Sequence, residues 1–127
     1  MTNKERVRRL RRWAEIVRTR KRGVRFNMQH WHEKTPCGTV VCALGDAALD
    51  GEFRRLGLGI INDDVVYFLG ERWENIGRHA AAGFFGLTDE EAANIVMPAN
   101  YKSRRPTRAV VAARIDALAV KYERRAK

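Results

Sequence analysis

Four zinc-type side chains, His30, His32, Cys37 and Cys42, fall within thirteen residues, and imidazole nitrogens with thiolates are the donor set of structural zinc. Their spacing, His-x-His-x4-Cys-x4-Cys, matches no established zinc signature. A continuous helix here turns Cys42 into the core and leaves both histidines on the preceding loop, so the expectation is two core thiols, two surface histidines and no metal or cofactor. Cys37 has a second chemistry open to it. It stands just before a helix start, where the dipole favours a thiolate, and His30, His32 or His79 is available as the base a nucleophile needs. No spacing brings such a pair together, and packing explains the cysteine as simply. Asp46 is the one charged residue between Gly38 and Leu49. Buried there it needs a donor such as an arginine, which makes it a structural ion pair sooner than a catalytic acid.

The remaining chemistry is that of cations. The formal net charge is +10, and it is divided unevenly. Residues 1–22 hold ten Lys or Arg against Glu5 and Glu15, a net +8, and residues 102–127 hold nine against Asp116 and Glu123, a net +7. The middle, 23–101, is net −5. If the two ends lie side by side they form one basic surface that attracts phosphates or an acidic protein patch, with salt-sensitive affinity. The candidate contacts are Arg8, Arg9, Arg12, Arg18, Arg20, Lys102, Arg104, Arg105 and Arg108, as phosphate ligands that give affinity and little sequence specificity.

The elements that must place these residues follow from periodicity. Val7, Leu10, Trp13, Ala14 and Val17 recur at three- and four-residue steps, one apolar stripe on a first helix ended by Gly23. Trp13 lies on the stripe and so belongs to the core. Val24, Phe26 and Met28 alternate, a short extended piece, and Pro36 breaks the loop before residue 37. Residues 37–50 read as a short buried central helix, with Thr39 as N-cap and Asp50-Gly51 as its close. The glycine-interrupted run 53–61 reads as a bulged strand or ordered loop, and it lacks the Lys-Ser/Thr of a phosphate loop. Asn62-Asp63-Asp64 then reads as a helix start, with Val65, Leu69, Trp73, Ile76 and Ala80 as an amphipathic stripe. Thr88 and Glu91 form a capping box for a helix stopped by Pro98. Pro106-Thr107 opens a final helix packed through Val111, Ile115, Leu118 and Tyr122. The helix, basic loop and helix from 88 to 122 invite comparison with a helix-turn-helix, and the loop of about nine residues is longer than the usual three- or four-residue turn.

Phe26-Asn27-Met28, Trp31, Cys37-Gly38-Thr39, Cys42, Gly45 and Ala47 together resemble a pattern found in small uncharacterised proteins of bacteria and their phages. Those proteins share a later Gly-Leu-Thr/Ser segment followed by Glu and Ala, similar to Gly86-Leu87-Thr88-Asp89-Glu90-Glu91-Ala92 here, and a closing helix. The resemblance spans roughly residues 24–120. It implies a helical domain and a mobile-element origin, and it brings no established activity and no catalytic residue.

These readings predict a mainly α, single compact domain over residues 1–127, of four to six helices around the short central helix. At most a small hairpin joins segments 24–28 and 56–61. No apolar run reaches the ~18 to 20 residues of a membrane span, and the N-terminus lacks the apolar segment of a signal peptide, so the expected setting is cytoplasmic, with both cysteines reduced. The leading expectation is a non-enzymatic protein that binds DNA or RNA through its basic ends. The alternative is a phage-type inhibitor or adaptor that binds an acidic host protein surface, for instance an anti-defence protein of the anti-CRISPR kind. Third comes a thiol or zinc site around Cys37.

Overall fold

The computed structural model describes residues 1–21, 23–29, 32–35, 38–69, 72–103 and 105–125, and for 32–35, 38–40, 69 and 72–75 the backbone. The protein is mainly helical, with six α-helices and two three-stranded sheets among the described residues. Helix α1 (Asn3–Arg18) starts where the Thr2 hydroxyl accepts the Glu5 N–H, a side-chain cap for one of the free amides of the first turn. Leu10, Trp13, Ala14 and Val17 are fully buried, as their spacing requires. The helix stops at Arg18, before Gly23, with the Thr19 hydroxyl donating to the Glu15 carbonyl.

Residues 38–41 do not begin a helix. Gly38–Val41 is strand β3, paired parallel to β1 (Val24–Phe26) and antiparallel to β2 (His32–Thr35) in the order β1-β3-β2. The β-branched pair Val40-Val41 fits the pleat better than a helix. The buried central helix is therefore shorter than the sequence suggested. Helix α2 (Ala43–Ala48) is capped by Cys42, whose Sγ accepts the Gly45 N–H, and Thr39 has no part in it. Asp50 does not close α2; it is the N-cap of α3 (Gly51–Arg55), where its carboxylate accepts the Phe53 N–H. All six residues of α2 are buried.

The largest correction falls on 62–69 and 72–76, which belong to a β-meander and not to a helix. Strands β4 (Leu58–Ile61), β5 (Asp64–Leu69) and β6 (Arg72–Ile76) pair antiparallel in sequence order. Asn62 and Asp63 both take positive φ, 50° and 63°, the left-handed pair that a two-residue hairpin turn demands. The short polar side chains that suggest a helix cap are also those that best tolerate this conformation. Segments 24–28 and 56–61 accordingly do not pair with each other; they belong to different sheets. Gly57 has φ +107°, and a Cβ there would lie 2.9 Å from the Phe68 carbonyl oxygen, so the closure of this sheet needs glycine.

Helix α4 (Arg78–Phe85) ends at Gly86 in the left-handed region, and α5 (Asp89–Val96) carries the expected Thr88–Glu91 capping box. A 3-10 turn at Pro98–Asn100 leads towards α6 (Arg108–Arg125). The core joins α1, α2, α4, α5 and α6. Trp13 stacks on Phe85 at 4.1 Å and donates its indole N–H to the Ala43 carbonyl, while Phe53 and Phe84 meet the Phe85 ring and each other edge-on. Each such buried side chain contributes on the order of 1.5–3 kcal/mol of apolar burial. Among the described residues no helix is long and apolar enough to cross a membrane.

Candidate functional site

The two basic ends do lie together. Helices α1 and α6 run antiparallel: Arg11 meets Asp116 and Glu123, and Val17 accepts a hydrogen bond from Arg108. What decides the field of this pair is where the carboxylates fall. Arg12 makes a two-pronged bond to Asp50 at 2.8 and 2.9 Å and also reaches Glu52 at 2.9 Å. Arg8 is held by Glu5 and Glu52. Arg9 is almost covered, its guanidinium 4.4 Å above the Phe84 ring and donating to the Phe84 carbonyl at 2.7 Å. Hydrogen bonds from Arg8 and Arg9 pull the Glu5 carboxyl down to about 2. Three of the expected phosphate contacts, Arg8, Arg9 and Arg12, are thus engaged inside the molecule.

The picture changes where α1 ends and α6 begins. A groove of about 770 Å³ opens there, and Arg18, Arg20, Lys21, Arg25, Arg105 and Arg108 line it with no acidic residue among the lining side chains. Arg18 is paired with Glu15 and Asp116. Arg20, Arg25 and Arg105 are exposed, and among the described residues none of them has a carboxylate partner. The first turn of α6 adds its own positive end, since Thr107 and Arg108 sit on the groove wall and Thr107 caps the Val110 N–H.

Arg108 forms the floor. Its Nη1 donates to Asp46 Oδ2 at 2.7 Å and to the Val17 carbonyl at 3.1 Å, and the guanidinium lies 4.7 Å over the Phe26 ring. Asp46 is fully buried on α2, with Lys21 Nζ at 3.8 Å from its other oxygen. Burial pushes its carboxyl pKa up, against the pull of Arg108 and Lys21. The arginine that the sequence demanded for Asp46 is therefore Arg108, which ties the groove floor to the central helix.

Of the expected set, the groove gathers Arg18, Arg20, Arg105 and Arg108. Lys102 lies beside it, on a small hollow that shares Arg105, and Arg104 lies outside the described residues. Lys21 and Arg25 are the members that sequence reasoning missed. The alternation of Val24 and Phe26 already implied that Arg25 points away from them, and Lys21 falls in the short connection between α1 and β1. A second groove, of about 840 Å³ between α5 and α6, mixes Glu90 and Glu91 with Arg114, Lys121 and Arg125. Glu91 there accepts from Tyr122 at 2.6 Å and Lys121 at 2.8 Å, so this groove offers a polyanion no uniform field.

The zinc and thiol readings rest on residues of which little is described. Cys37 and His30 lie outside the described residues, as does the His32 side chain. Cys42 is fully buried, and burial pushes its thiol up to about 12, so it stays protonated at neutral pH and is a poor thiolate donor. His79 is exposed on α4 with Nδ1 3.6 Å from Asp89. Among the described residues no group of three or more His, Cys, Asp or Glu is placed to hold a metal ion. No protein-family model, curated protein or solved structure matches the chain.

Proposed function

We propose that the chain is a non-enzymatic nucleic-acid-binding protein that holds backbone phosphates in the groove between the end of α1 and the start of α6. The observation that carries this reading is the convergence of Arg20, Arg25 and Arg105, without carboxylate partners among the described residues, on one concave surface. Lys21 and Arg108 deepen the positive field, although each also serves Asp46. Phosphate contacts of this kind position a polynucleotide without reading its sequence. Between three and six neutralised phosphates correspond to a slope of log affinity against log salt of about −2 to −4 for a single strand. The test is binding of nuclease-treated protein to labelled single strands and duplexes over ~50 to 300 mM salt. The reading expects binding with such a slope; no binding at the lowest salt, or a slope near zero, overturns it.

A second reading draws on the resemblance of residues 26–47 and 86–92 to proteins of bacteria and their phages. The same field suits an acidic protein surface, as an inhibitor or adaptor directed at a host complex would require. A partner retained in a pull-down after nuclease treatment, and lost when Arg20 and Arg105 are neutralised, supports this reading over the first.

A further inference from the structure

Around the corner of the groove lies a hollow of about 350 Å³ whose character is opposite. Tyr101, Pro106 and Val110 give it an apolar interior, and Lys102, Arg105 and Arg114 stand around it. It is continuous with the basic groove, for Arg105, Pro106 and Thr107 line both. Its walls are fixed. The Tyr101 hydroxyl donates to the Ile95 carbonyl at 2.6 Å, and the Arg114 guanidinium lies 3.8 Å over the Tyr101 ring, pinned by a 2.7 Å bond to the Asn94 carbonyl. Val110, on the first turn of α6, is 48% exposed. An apolar pocket ringed by cations and joined to a phosphate-type groove fits a flat, neutral heteroaromatic ring tethered to a backbone phosphate.

Resting on the nucleic-acid reading above, we propose that the bound form is a single strand, with its phosphates in the groove and one unpaired base seated in the hollow of Tyr101, Pro106 and Val110. A paired base has both faces in the stack of its duplex and cannot enter without being flipped out. An unpaired base is free to do so, and single-strand binders combine a cationic track with aromatic or guanidinium surfaces on which bases lie. DNA and RNA share this chemistry.

The test uses the whole chain and four labelled oligonucleotides: a single-stranded DNA, the RNA of the same sequence, the duplex, and an abasic strand with the same number of phosphates. A seated base is worth about fivefold to a hundredfold in affinity. The intact DNA or RNA single strand should exceed both the abasic strand and the duplex by such a factor. Val110→Gln places a polar side chain in the hollow at an exposed, helix-tolerant position. It should bring the intact strand down towards the abasic one, leaving abasic binding and the salt slope unchanged. Equal affinity for abasic and intact strands, a duplex bound as tightly as the single strand, or no effect of Val110→Gln overturns the base site while leaving the phosphate groove standing. Failure of every polynucleotide to bind removes the groove reading itself.

Discussion

Arg8 and Arg12 stand on the same helix as Arg18, about two to three turns before it, yet the two ends of that helix have become different surfaces. At the first end α3 supplies Asp50 and Glu52, and α1 itself supplies Glu5, so the Arg8 and Arg12 guanidinium groups each meet a carboxylate. At the second end the nearest acid on α2, Asp46, is buried and committed to Arg108 and Lys21. Arg20, Arg25 and Arg105 meet none among the described residues. A net charge of +10 therefore says less about binding than where fifteen acidic residues are placed. Coulomb energy falls with distance and screening within ~10 Å at ordinary salt, so a carboxylate 3 Å away cancels a guanidinium that composition counts in full.

The largest expected effect strikes the floor of the groove. Asp46→Ala leaves the Arg108 guanidinium enclosed without its carboxylate, and loss of one partner of a buried pair costs about 3–5 kcal/mol. Urea unfolding should show a loss of that size; a loss below about 1 kcal/mol means the floor is not tied to the core through this pair.

Acid should act next, and mainly on the paired regions. The Glu5 and Glu91 carboxyls both sit at about 2 in the fold, below the ~4.3 of an unfolded glutamate. For Glu5 the cause is hydrogen bonding from Arg8 and Arg9; for Glu91 burial works upward, but Lys121, Tyr122 and the Thr88 amide overcome it. Groups with lowered pKa contribute stability that is complete above the unfolded value and lost as pH falls towards the folded one. Thermal unfolding should therefore move to lower temperature as pH drops from about 4.5 to about 2. Asp46, raised by burial, works in the opposite sense. Its share of stability is largest when it is protonated, so Asp46→Asn should blunt none of the acid loss.

The smallest effect sharpens the contrast between the two ends. Glu52→Gln removes one carboxylate shared by Arg8 and Arg12 while leaving them Glu5 and Asp50. An exposed pair of this kind is worth about 0–1 kcal/mol, so the melting temperature should hardly move. Affinity for polyanions should rise by about twofold, because part of a silenced face is released. A fall in affinity contradicts the idea that Glu52 screens these arginines.

Much of the fold was legible where one physical signal ruled alone. The stripe of Leu10, Trp13, Ala14 and Val17, the Thr88–Glu91 box and the stripe of Val111, Ile115 and Tyr122 all take the positions their spacing implies. The sequence misled where two signals share residue types. Asn62-Asp63 serves a helix cap and a left-handed hairpin turn alike, and the β-branched and aromatic run Val65-Val66-Tyr67-Phe68 was the evidence that favoured the turn. Thr39 posed a related difficulty, since a credible cap residue lies in a strand here and only the strand pairing of Val40 with Arg25 and Glu33 moves the helix start past it. The site was half legible. Excess charge at both ends told of a basic surface, but that α3 would turn Asp50 and Glu52 onto α1 is a tertiary fact without a local signature.

The central claim, that unpaired placement and not total charge creates the binding surface, is tested most directly by comparing two neutralised variants. One is Arg20→Gln with Arg25→Gln and Arg105→Gln; the other is Arg8→Gln with Arg12→Gln. Both are measured against a single-stranded oligonucleotide across a salt series. The groove variant should lose tenfold or more in affinity and flatten the salt slope by about 2, the share of three single-strand phosphate contacts. The paired-face variant should keep the slope and stay within about threefold of the unaltered protein. Equal losses per charge in the two variants would contradict the account and return the basic ends to an undifferentiated cationic surface.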